Sequence, residues 1–264
     1  MKNRGNKTRK MVDNNRRMFL LLTALTSVGQ KPKQNVKYGA ALAKHYFATG
    51  EIGLDGEVYS EKRGVTEPRV VHPFTGKLLG QKAGSIEPNL HLMRQMISDM
   101  GFEGFLSYIH DIKTVKELND LRAKTFNPAT GKNMGKASHL KGGMTAEYPA
   151  VYLFGPKVGP FFNNLNGIED ETVDLWATRL IHQHAGGLKN PLYKGKDDKK
   201  NSQLTDSPTS VNRNAMKDVF KTIAARRGLR SSQQAQAVLW SASQNLYRDL
   251  GGTASNEYFS EGAR

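Results

Sequence analysis

Two short groups of residues have the types and spacing from which chemistry is built. The first is Gly155-Pro156-Lys157-Val158-Gly159. Glycine has no Cβ, so its backbone approaches a ligand closely. Amides of Gly155, Val158 and Gly159 at a helix start suit an anion such as phosphate. Lys157 adds a cation. Its amine either contacts that anion or, with its pKa lowered by burial or by neighbouring cations, serves as a nucleophile. Pro156 and Pro160 lack an N–H but hold φ near the value of a helix start. The second group is Thr172-Val173-Asp174-Leu175-Trp176-Ala177-Thr178-Arg179. A carboxylate at Asp174 can stabilise positive charge in a transition state or activate a water. At the start of a helix it can equally act as a cap. Phe161, Phe162, Leu165, Trp176, Leu180 and Ile181 fall at helix-packing intervals around both groups.

The elements that must position these residues are mostly helical. Residues 18–28 and 36–49 read as helices, the second with Tyr38, Ala41, Leu42 and Tyr46 on one face. Pro88 to Met100, Phe102 to His110 and Thr114 to Lys124 follow, and Thr114 with Glu117 has the spacing of a capping box. Two helices close the chain, near 211–227 and 231–250, with Gly251-Gly252 ending the second. Between 50 and 85, glycines and prolines break any helix, and Val58-Tyr59 and Arg69-Val70-Val71 suit short strands. The Gly/Lys-rich stretch 131–143 is expected to be a mobile loop, and 186–210 a polar linker.

The chain carries 39 Lys and Arg against 24 Asp and Glu, a net charge of +15. This points to nucleic acid or another polyanion as partner; an acidic protein partner or a virion component is the other reading. Residues 1–17 are expected as a basic, flexible arm, either solvated or bound to phosphate. Arg226, Arg227 and Arg230 would add affinity of the same sequence-independent kind. The pattern P-x-T-G-K-x-x-G occurs twice, at Pro73–Gly80 and Pro128–Gly135. Each copy is either an ordinary turn or a loop that brings Lys77 or Lys132 to a phosphate backbone. Neither has P-loop spacing. There is no cysteine, which excludes disulfides and thiolate-held clusters. His182 and His184, two apart on a helix, point to different faces, so no metal site and no cofactor is expected. The basic start followed by Met18-Phe-Leu-Leu-Leu imitates a signal peptide, but the apolar run is short and continues with helical spacing. No run approaches a membrane span.

Gly155-Pro156-Lys157-Val158-Gly159 resembles the G-x-K-x-A part of the turn in helix-hairpin-helix DNA glycosylases, and Val173-Asp174 with Arg179 resembles their V-D-x-x-x-x-R. The family's earlier glycine falls on Leu153, and Trp176 replaces the usual histidine or aromatic residue. Gly155 to Gly167, Thr172 to Arg179, Gln236-Ala-Val-Leu-Trp240 and Leu246-Tyr247 also look like a divergent group of phage and mobile-element proteins. Related phage proteins with a glycosylase-like fold modify thymine bases. The resemblance spans about residues 85–250. It implies Asp174 as the catalytic carboxylate, Lys157 as nucleophile at the sugar C1′ or as phosphate anchor, DNA as partner, and the host cytoplasm as location. The expected architecture is mainly α: a multi-helix bundle of roughly nine helices with a helix-hairpin-helix unit at 144–185 and a Gly/Pro-rich region with room for a β-hairpin. It is expected as one domain over 18–250, with a tail at 251–264. Asn163, Asn164 and Asn166 would either line a pocket near Asp174 or make structural hydrogen bonds.

Overall fold

The computed structural model describes residues 2–27, 32–52, 54–60, 65–71, 86–127, 131–173, 177–178, 180–181 and 210–249. The chain is mainly helical and divides into two compact units, Met1–Phe162 and Asn163–Arg264. The expectation of one domain over 18–250 therefore meets a division inside the proposed hairpin unit.

In the first unit, α1 (Lys2–Thr26) and α2 (Pro32–Thr49) pack together. Met18, Leu21, Leu22 and Leu25 repeat at helical spacing and are fully buried. The basic stretch expected as a flexible arm lies within α1; Asp13 binds Arg16 and Arg17 one turn on, at 3.3 and 2.8 Å. The helices cross at Gly39, where a Cβ would stand 2.9 Å from Thr23 Cα. Thr26 Oγ1 donates to Asn35 Oδ1 at 2.7 Å beside this crossing. Of the apolar face expected on α2, Ala41, Leu42 and Tyr46 are buried.

Strands β1 (Leu54–Ser60) and β2 (Val65–Val71) pair antiparallel, Leu54 opposite Val71 and Ser60 opposite Val65. Helix α3 (Ile86–Tyr108) buries Leu90, Met93 and Met96. It is broken at Gly101, whose φ of 74° and ψ of 165° only glycine adopts readily. Strand β3 (Ile112–Thr114) leads into α4 (Val115–Lys124). Thr114 caps α4 as its spacing predicts: Glu117 N–H donates to Thr114 Oγ1, and Glu117 Oε2 accepts from the Thr114 amide at 2.8 Å. Strands β4 (Phe126–Asn127) and β5 (Lys132–Asn133) form a small hairpin, and β6 (Glu147–Pro149) pairs with β3. A 3-10 helix (Ala150–Phe154) and α5 (Val158–Leu165) follow. The second unit takes over within α5. It contains α6 (Ser210–Arg227) and α7 (Ser232–Asp249), and a core of Val173, Ala177, Leu180, Met216 and Phe220.

Candidate nucleic-acid interface

The turn Gly155-Pro156-Lys157 joins the 3-10 helix to α5. The end of a helix leaves carbonyls without partners. Here three carbonyls are met by side chains from three separate elements. His139 Nε2 donates to Tyr152 O at 2.8 Å, Arg122 Nη1 to Leu153 O at 2.7 Å, and buried Asn89 Nδ2 to Phe154 O at 2.6 Å. Because a carbonyl only accepts, the His139 proton in this contact is on Nε2. Arg122 Nε also donates to Gly135 O at 3.0 Å. Burial disfavours the Arg122 charge and lowers its pKa, and the partial negative charge of the carbonyls compensates. The turn is thus seated in a polar socket.

The candidate residues of the turn are engaged inside the chain. Gly155 has φ 127° and its amide donates to Tyr152 O at 3.0 Å. The Gly159 amide donates to Gly155 O at 3.1 Å, and a Cβ at Gly159 would stand 3.0 Å from Tyr152 Cα. Gly159 therefore serves the close packing of α5 on the 3-10 helix. Val158 opens α5 with its side chain buried. Lys157 Nζ donates to Ser27 O, just beyond the end of α1, at 3.0 Å and partly buried. A cation suits a helix C-terminus.

In the second unit a polar network grips residues 169–172, immediately before Asp174. Asn164 Oδ1 accepts from the Asp170 amide at 3.1 Å and from Gln233 Nε2 at 3.0 Å, while Asn164 Nδ2 donates to Thr172 Oγ1 at 3.0 Å. Gln236 Nε2 donates to Thr172 O. Asp170 accepts from Lys217 Nζ at 2.6 Å and from Asn163 Nδ2 at 3.1 Å. Glu169 Oε1 accepts from the amide and hydroxyl of Ser232 in the first turn of α7, and the Ser232 hydroxyl bond is the main cause of its lowered pKa. Asn163 and Asn164 thus make structural hydrogen bonds. Glu171 is buried, and its Oε1 has no partner among the described residues.

Asp174, Trp176, Arg179 and Lys77 lie outside the described residues. Lys132 is exposed on the β4–β5 hairpin, beside Gly131 with φ 67°. Arg226 and Arg227 are exposed in the last turn of α6. The loop expected to be mobile over 131–143 is instead anchored: Met134, Ala137 and Leu140 are buried and the backbone is tied to α4.

Sequence reasoning missed Asn89, Arg122 and His139 at the socket, and Asp170, Lys217 and Gln233 in the network. They come from distant segments, and no local spacing links them. Gln236 carried a local signal, through its place in Gln236-Ala-Val-Leu-Trp240. Among the described residues no group of acids and histidines has the geometry to hold a metal, and none of their helices is long and apolar enough to cross a membrane. No family model, curated protein or solved structure matches this chain.

Proposed function

We propose that this chain is a DNA-binding protein of the helix-hairpin-helix glycosylase type, with Asp174 acting on the N-glycosidic bond of a flipped base. The DNA-binding part is carried by the charge of +15. Lysines at 124, 132, 136 and 141 and arginines at 226 and 227 are exposed. Such an excess attracts phosphate chains irrespective of sequence.

The enzymatic part rests on the resemblance around Val173-Asp174. Water would add to C1′ as the bond from C1′ to the base nitrogen breaks, Asp174 taking the water's proton, which then passes to the departing base. The hold of the Ser27 carbonyl on Lys157 favours this water route over attack by the lysine amine.

The test is mass spectrometry of bases and nucleosides after incubation with modified and unmodified DNA. Wild type is expected to release or alter a base, and Asp174→Asn to lose that activity at least 100-fold while keeping its DNA affinity. Equal products from both proteins would end the catalytic reading. A second reading, a binding protein without catalysis, is favoured by the internal use of the Gly155 and Gly159 amides; it predicts DNA binding and no product from either protein.

A further inference from the structure

The loop 131–146 runs antiparallel to α4 and is tied to it along its length. Met134 N–H donates to Thr125 O at 2.7 Å, Arg122 Nε to Gly135 O at 3.0 Å, Ala137 N–H to Asn119 Oδ1 at 2.7 Å, and Lys116 N–H to Met144 O at 2.9 Å. Helix and loop thus form one strip. At 1.5 Å rise per residue, α4 runs about 15 Å, the length of several nucleotides of a stacked strand.

The strip presents cations on a hydrogen-bonded backbone. Lys116 and Lys124 are exposed on α4, and Lys132 and Lys136 on the loop. Lys116 pairs with Asp120 at 2.8 Å. Lys124, Lys132 and Lys136 have no ion-pair or hydrogen-bond partner among the described residues. Lys116, then Lys124 and Lys136, hold the Asp120 carboxyl below its usual pKa, so these lysines share one field. The other acid of the helix, Glu117, is spent on the Thr114 cap. Phe126 stands two residues beyond Lys124 with 53% of its surface exposed. It lies in β4, opposite Asn133.

We infer that this strip binds a single-stranded nucleic acid, with Lys132, Lys124, Lys136 and Lys116, in that order along the strip, on its phosphates and Phe126 stacked on an unpaired base. Lysines alone would suit any polyanion. An exposed aromatic ring beside them selects a strand whose bases have free faces, which a duplex does not offer. The inference rests on the nucleic-acid reading and adds to it the surface and the strandedness.

Fluorescence anisotropy on the full chain tests it, with labelled oligothymidine, oligouridine and a DNA duplex of equal length. Wild type is expected to prefer the single strands; the DNA and RNA arms show whether the sugar matters. Phe126→Ala is expected to weaken single-strand binding about tenfold, with duplex binding unchanged and Phe126→Tyr restoring affinity. The double variant Lys124→Ala, Lys136→Ala should lower the slope of log affinity against log salt by about 1.4. All these positions are exposed, and circular dichroism checks that the variants fold. If wild type binds and these variants bind equally well, or if the duplex is preferred, the strip is not the site while the nucleic-acid reading stands. If wild type binds none of the three probes at low salt, both fail.

Discussion

At the scale of single residues, Arg122 bears the most on the candidate turn. It bridges the 3-10 helix and the loop 131–146, donating to Leu153 O and to Gly135 O. Hydrogen bonds from a charged donor contribute about 1.5–3 kcal/mol each, and both acceptors would lose their partner together. Arg122→Met is expected to destabilise the first unit by about 3 kcal/mol in urea denaturation. Arg122→Lys should recover less than half, because an ammonium cannot reproduce the forked geometry. His110 gives a pH prediction. Its ring lies 5.4 Å from that of Phe162, and its Nε2 is buried without a partner among the described residues. Burial, and next the Arg17 charge, lower its pKa below the ordinary 6.5. Between the lowered value and 6.5 the unfolded chain binds a proton that the folded chain refuses. Stability is therefore full above about 6.5 and falls on acidification through that window. Thermal melts between pH 7.5 and 5.5 should show this slope, and His110→Phe should flatten it.

At the scale of elements, close contacts and caps decide which helices form and how they meet. The α1–α2 crossing depends on the missing side chain of Gly39. A methyl group there meets the Thr23 hydroxyl and also the Thr23 backbone, and the backbone cannot swing aside. Gly39→Ala should therefore cost about 1–3 kcal/mol despite alanine's better helix propensity. Unchanged stability in chemical denaturation would mean that the crossing relaxes freely. Thr114→Ala removes one half of the capping box and is expected to cost about 1 kcal/mol, read by the same measurement. The first loss comes from a crossing between two successive helices, the second from bonds within four residues.

At the scale of the whole molecule, charge is the dominant property. A net charge of +15 makes any nucleic-acid affinity a function of ionic strength. With four lysines of the α4 strip on phosphates, the affinity for a single strand should fall about 50-fold between 50 and 200 mM salt. A flat salt dependence would instead mean that non-ionic contacts hold the ligand. The division into two units places the Gly155–Lys157 turn and the 169–172 network in separate compact bodies. Each body holds its own part by its own hydrogen bonds.

Much of this was legible in the chain itself, wherever the physics is local. The Thr114–Glu117 cap, the apolar faces of α1, α2 and α3, and the mainly helical character follow from spacing within a few residues, because helical hydrogen bonds and amphipathic faces repeat at short range. The basic charge needs only a count. Tertiary structure decided the rest. The 131–143 segment reads as loose from its glycines and lysines, yet α4 anchors it. Lys157 reads as a free amine, yet it ends on the Ser27 carbonyl. Arg122, Asn89 and His139 carry no shared motif, yet they meet on three consecutive carbonyls. A hydrogen bond between residues far apart in sequence leaves no periodic trace; only the folded chain brings donor and acceptor within 3 Å.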